Sequence, residues 1–235
     1  EIGGAASGTR IEAAVKKWAC TVKEDSSLPC TGFEITTSPA MGDALLSQVS
    51  ELAEAFAQDA AWVNNDCGLH VHVDLRKAVP LHIKRLIRVW TVLEDAAFAL
   101  VPEHRAGGDY CRSTKGEWAR AEDRAVDSGY TTKAKLRTAA GFKHMLDGGL
   151  IWAGRYSAMN LYAAYNQHGT VEFRLAPGTV RIEAARAWPM LMGGIVEFAR
   201  VASVREIIAL PPDKRGLLEV APTAEVRKFI EAPRW

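Results

Sequence analysis

The sequence predicts an α+β chain: a mostly antiparallel sheet with helices on its apolar face and an open polar face opposite. Two observations predict it. Several short segments alternate apolar and polar residues with the period of a half-buried strand, and several longer ones place apolar residues at helical spacing. The two kinds interleave irregularly, without the regular strand–helix alternation of a doubly wound sheet. In chain order, a short helix is expected over 10–18. Phe33 and Ile35 alternate with Glu34 and Thr36 as a strand. Residues 43–63 carry Leu46, Val49, Leu52, Phe56 and Ala60 on one helical stripe. Leu69, Val71, Val73 and Leu75 alternate with His70, His72 and Asp74, a second strand. Residues 80–101 open on Pro80, suited to a first turn, and then place Ile83, Leu86, Ile87, Trp90, Leu93 and Ala97 on one stripe. Residues 103–140 are polar and glycine-punctuated, and read as an excursion or lid. Val171, Phe173 and Leu175 alternate with Thr170, Glu172 and Arg174 in a third strand. Trp188, Leu191, Met192, Ile195 and Phe198 mark a helix over 183–201, and 204–235 reads as a peripheral C-terminal segment. The whole, 1–235, is expected to be one domain.

Composition narrows the function classes. In 235 residues, 29 Lys and Arg stand against 28 Asp and Glu, a net charge of +1. That balance gives no electrostatic case for a nucleic-acid or anionic-membrane partner. The charge-free apolar run at 187–196 is far short of the roughly 20 residues a membrane span needs. The four cysteines, Cys20, Cys30, Cys67 and Cys111, form no C-x-x-C pair and are sparse for a disulfide-stapled protein. They read as reduced thiols of a cytoplasmic protein. The first residues show no signal-peptide pattern, and Glu1 in place of Met reads as a trimmed beginning.

The chemistry-bearing residues lie on the polar strand faces. In Cys67-Gly-Leu-His-Val-His-Val-Asp74 the two histidines are at i and i+2, so His70 and His72 project from the same face, about 7 Å apart. Such a pair can bind one metal, or serve a metal and a phosphate separately; the plainer alternative is two solvent-facing rings. Glu172 and Arg174 form a second same-face pair, a hard carboxylate ligand beside a guanidinium able to reach a phosphate, or else an ordinary surface ion pair. Glu34 stands on a third polar face. Together these suit magnesium or manganese better than structural zinc, which draws more on cysteine. Cys67 reads as a small buried thiol rather than a nucleophile. Asn160 and Arg155 lie just upstream of the Glu172 strand. P-loop, dinucleotide-binding and hydrolase-elbow signatures are missing from the sequence.

Taken in order, these pieces resemble the amidoligase family, relatives of glutamine synthetase and glutamate–cysteine ligase. The resemblance runs through Trp18 with Lys23-Glu-Asp-Ser-Ser-Leu-Pro29, then Gly32-Phe-Glu-Ile-Thr-Thr-Ser-Pro39 and Cys67-Gly-Leu-His-Val-His72. It continues in Arg155-Tyr-Ser-Ala-Met-Asn-Leu161 and Thr170-Val-Glu-Phe-Arg-Leu175, and so spans most of 15–200. It implies the curved sheet of a glutamine synthetase catalytic domain, with ATP and Mg2+ or Mn2+ on the concave polar face. It implies a reaction in which ATP activates a carboxylate as an acyl phosphate and an amine displaces phosphate. Carried over by position, Glu34, His70, Glu172 and Glu1 would be metal ligands, His72 and Arg174 would face ATP phosphates, and Arg155 and Asn160 would support the nucleotide. The family opens on a strand with Gly-x-Glu-x-Glu; Glu1-Ile2-Gly3 offers at most one of those carboxylates. The implied substrates are a small-molecule or peptide carboxylate and an amine, with specificity carried by 103–140. A homo-oligomer is implied by analogy with ring-forming relatives. Two other readings stand beside this one. His-x-His-x-Asp also resembles the first strand of barrel-shaped metal-dependent amidohydrolases. A degenerate relative that keeps the fold and nucleotide affinity without catalysis is the other.

Overall fold

The computed structural model describes residues 8–24, 32–106, 108, 111–115, 156–162, 164 and 168–235. The described residues form a mixed α+β structure with two small sheets. Among the described residues neither sheet closes into a barrel, the form the hydrolase reading requires. No described helix is long and apolar enough to cross a membrane. The elements are α1 (Thr9–Lys17), β1 (Thr21–Glu24), β2 (Phe33–Thr36), α2 (Asp43–Gln58), β3 (Gly68–Asp74), α3 (Pro80–Phe98) and a 3-10 turn (Glu103–Arg105). They continue with β4 (Met159–Asn160), β5 (Thr170–Pro177), α4 (Ile182–Val201), α5 (Val204–Ala209), α6 (Lys214–Val220) and α7 (Ala224–Glu231). The chain divides into two compact units.

The first unit comprises Glu1–Leu69, Ala176–Met190 and Ala224–Trp235. Its β1 and β2 pair antiparallel, with Lys23 opposite Glu34. Ile11 and Ala14 of α1, Phe33 of β2, and Leu52, Ala55 and Phe56 of α2 make one apolar cluster. The start of α1 is capped from another element: Gly8 has no side chain to offer, and Asp59 at the end of α2 accepts from the backbone N–H groups of Arg10 and Ile11 at 3.0 and 2.9 Å. A Cβ at Gly8 would lie 2.0 Å from that carboxylate, which is why glycine stands there. Arg186 of α4 grips Glu225 of α7 with two bonds of 2.7 and 3.0 Å and reaches Ser50 of α2 at 3.2 Å. The guanidinium holds the Glu225 carboxyl below its ordinary range.

The second unit comprises His70–Leu175 and Leu191–Thr223. Its sheet has the order β3-β5-β4, so β5 is central, and β4 runs antiparallel to it with Asn160 opposite Glu172. Trp90 of α3 packs on Phe173 of β5 with ring centroids 5.1 Å apart, and both are fully buried. Burial of each such side chain is worth about 1.5–3 kcal/mol relative to exposure. Gly169, at φ +68°, turns the chain into β5, and its carbonyl accepts the Leu75 N–H at 2.8 Å. Only glycine holds that backbone without strain.

Over 204–235, α5, α6 and α7 bury Ile207, Leu217, Val220, Val226, Phe229 and Ile230. Most of 103–140 lies outside the described residues, but Arg105, Cys111 and Thr114 within it are buried. They sit in the second unit's core, because the segment's polar composition hides three side chains that find partners inside.

Helix α4 carries two adjacent glycines with opposite surroundings. A Cβ on Gly193 would meet nothing within 4 Å, whereas one on Gly194 would lie 2.6 Å from the Val220 carbonyl oxygen and 2.9 Å from Pro222. Gly193→Ala should therefore stabilise by up to ~1 kcal/mol through helix propensity. Gly194→Ala should destabilise by about 1–3 kcal/mol, since backbone overlap outweighs the same propensity gain. Urea unfolding of the two variants reads both signs.

Candidate functional site

Five of the residues singled out in the sequence meet on the sheet of the second unit. The alternation of β3 turns His70 and His72 to one side, and the same alternation of the neighbouring β5 turns Glu172 and Arg174 to meet them. Glu172 is the hub. Its Oε1 lies 3.4 Å from His70 Nδ1 and 3.7 Å from His72 Nε2, and accepts from Arg174 Nη1 at 2.5 Å. Its Oε2 accepts from Asn160 Nδ2 at 2.7 Å. Asn160 Oδ1 takes the Tyr162 N–H at 2.9 Å, which orients the amide so that its NH2 faces the carboxylate. His72 Nδ1 is 2.9 Å from the Thr170 hydroxyl, and its ring meets that of His168 edge-on at 5.9 Å.

The polar face of β5 is less open than its alternation predicts. Side-chain exposure falls from 41% at His72 to 18% at His70, 14% at Arg174 and 8% at Glu172. The reason is topological: β5 lies between β3 and β4, and Asn160 and Arg174 cover the carboxylate. A buried carboxylate costs several kcal/mol of lost hydration, and it persists here because a charged donor and an amide donor both face it.

Burial, and after it the Arg174 and Arg105 guanidinium groups and His72, hold protonation of His70 well below the ordinary histidine range. The His70–Glu172 approach is therefore a polar contact of a neutral ring, and a neutral imidazole is the form that offers a lone pair to a metal. The donor set of Glu172 with His70 and His72 has the chemistry of part of a divalent-cation site. Among the described residues no group of three or more His, Cys, Asp or Glu side chains is arranged to hold a metal by itself.

Of the other predicted residues, Glu34 lies on β2 of the first unit opposite Lys23, and Glu1 and Arg155 fall outside the described residues. Cys67 is 1% exposed and its thiol faces Asn64 Oδ1 at 3.3 Å, a buried structural thiol. Sequence reasoning missed Arg105, which is buried and donates to the Arg174 carbonyl at 2.8 Å, fixing the backbone of that residue from behind. It lies in a stretch whose polarity gave no signal.

A family model described as "Putative amidoligase enzyme" matches residues 9–196. The chain belongs to this amidoligase family. The matched region of the amidoligase contains β2 to β5, and with them all five clustered residues and Glu34. No curated protein and no solved structure matches the chain.

The depressed proton affinity of His70 has a stability consequence. Its ordinary value is 6.5. The unfolded ring takes up a proton more readily than the folded one, so the folded state has its full advantage above about pH 6.5 and loses it as pH falls from there toward the folded midpoint. NMR titration should show His70 protonating below pH 6.5, and His70→Gln should lessen the loss of stability on the acid side.

Proposed function

We propose that this amidoligase is an ATP- and divalent-metal-dependent carboxylate–amine ligase that forms an amide or peptide-like bond through an acyl-phosphate intermediate. Family membership supports a ligase. The observation that carries the reading further is the convergence of His70, His72, Arg174 and Asn160 on the buried Glu172. The ligase needs two capacities at one place: cationic donors for phosphate oxygens, and a carboxylate with neutral imidazole for a divalent ion. This cluster offers both.

A carboxylate is a poor electrophile at neutral pH, and phosphorylation by ATP converts it into one that an amine can attack. In the proposed arrangement Arg174 and His72 face the phosphates, and Asn160 fixes the carboxylate of Glu172. His70 and Glu172 would hold Mg2+ or Mn2+. When bound, the ion offsets negative charge on the transferring phosphoryl group. Arg174 is suited to an oxyanion in flight, since its guanidinium presents several donors in a fixed plane. Its backbone is held by Arg105 and by its own N–H, which donates to the Ala158 carbonyl at 2.9 Å. That restraint limits how far the guanidinium wanders when a phosphate draws it from Glu172. The sheet is proposed to correspond to the curved sheet of a glutamine synthetase catalytic domain, and the substrates to be a small or peptide carboxylate and an amine.

Binding is tested first. A ligand at about 100 times its dissociation constant adds about 2.7 kcal/mol, which for a chain of this size raises the melting temperature by roughly 5–10 °C. MgATP or MnATP should produce that shift, and Arg174→Lys, melting normally without nucleotide, should lose most of it. A shift that survives in Arg174→Lys removes the assigned phosphate role. Folded Glu172→Gln and His70→Ala should release ADP at least ~100-fold more slowly with any amine–carboxylate pair that wild type turns over. Turnover close to wild type in both would refute the reading.

A further inference from the structure

The second unit holds another buried carboxylate, one that the ligase reading leaves without a role. Glu94 is a fully buried residue of α3. Near the C-terminal end of that helix a carboxylate is disfavoured by the helix dipole, so local helix stability does not explain it. Its partners do. Oε1 accepts from Trp90 Nε1 at 2.9 Å and from the Thr114 N–H at 2.6 Å. Oε2 accepts from the Ser113 hydroxyl at 2.7 Å and the Lys115 N–H at 3.2 Å. One side chain thus grips three consecutive residues and the indole that packs on Phe173.

The held segment reaches the site. The Thr114 hydroxyl accepts the Met159 N–H at 3.1 Å, and Arg112 brackets 156–158: its N–H donates to the Tyr156 carbonyl and its carbonyl accepts the Ala158 N–H, both at 2.8 Å. Strand β4 has only two residues, too few to define its own position by sheet pairing, and Asn160 is one of them. Trp90, on the same Glu94 oxygen as Thr114, packs on Phe173, which sits between Glu172 and Arg174.

We propose that Glu94 is a positioning residue. By holding Thr114 and Trp90 on one carboxylate oxygen it sets β4 against β5, and so places the Asn160 amide on Glu172. Its effect on the Asn160 amide rests on the structure; the consequence for nucleotide rests on the ligase reading above.

The test uses the full chain and reads the Asn160 side-chain NH2 resonances by NMR, identified by their loss in Asn160→Ser. Glu94→Gln keeps the volume but supplies one acceptor oxygen where four donors need two. Thr114→Val keeps the shape and loses the acceptor for Met159; Thr114→Ser restores it. Glu94→Gln and Thr114→Val should move the Asn160 resonances and speed their hydrogen exchange about tenfold or more, while Thr114→Ser keeps the wild-type pattern. Unchanged Asn160 resonances in folded Glu94→Gln overturn the proposal, and if that variant does not fold, Thr114→Val with its serine rescue decides. Where wild type binds MgATP, the variants should bind it about tenfold more weakly; unchanged affinity with a displaced Asn160 amide overturns the role of Asn160 at the nucleotide in the ligase reading and leaves its placement by Glu94 supported. Failure of wild type to bind MgATP overturns the ligase reading alone, because the Asn160 readout contains no nucleotide.

Discussion

The burial of Glu172 on the central strand is the constraint on which the rest of the second unit turns. Its strand neighbours Val171 and Phe173 are fully buried in the core, so the backbone there cannot move to bring the carboxylate back to water. Whatever faces it must therefore supply what water would have supplied. Arg174 brings charge and Asn160 an amide, and each then needs its own support. Arg174 is held through its carbonyl by Arg105 and through its N–H by Ala158; Asn160 is held by Tyr162 and by its place in β4. Removing one partner leaves an uncompensated buried group, which is why such pairs are costly to break even when they add little net stability.

The elements with clean periodicity were legible in the sequence. The helices over 10–18, 43–63, 80–101 and 183–201 are present as α1 to α4, and the three alternating strands as β2, β3 and β5. The second helix ends earlier than expected, at Gln58, where Asp59 leaves the helix to cap α1. The short elements were not legible. β1 carries no buried residue and takes its form from pairing with β2, and two-residue β4 is too short for any period. The C-terminal helices are brief and give a weak periodic signal, although Val226, Phe229 and Ile230 fall at helical spacing on the buried side.

The site divides along the same line. His70, His72, Glu172 and Arg174 could be paired from alternation alone, since i and i+2 on adjacent strands must share a face. What alternation could not give was which strand lies in the middle, and so which carboxylate is buried. Glu94 illustrates a signal that was present and passed over. It sits at i+4 from Trp90 in the stripe that runs through Ile87, Trp90 and Ala97, a charged residue on an otherwise apolar helix face. Such an intruder has to be partnered, and its partners are non-local, so the sequence marks the need without naming what meets it.

The two buried carboxylates of this unit are satisfied in different ways, and the difference bears on function. The donors to Glu94 are two backbone N–H groups, an indole and a hydroxyl, supplied by the buried Trp90 and by three consecutive residues, 113–115. The groups around Glu172 Oε1 are a guanidinium and two imidazoles, ending in a half-exposed His72. The guanidinium can exchange its hold on the carboxylate for a phosphate oxygen, and a neutral imidazole can offer a lone pair to a cation. A carboxylate met by the tips of charged side chains is suited to binding, whereas one met in part by backbone N–H groups is suited to bracing. On the proposed reading the same residue type serves chemistry on β5 and placement on α3, and what separates the two roles is the kind of donor that meets the carboxylate rather than the depth of burial.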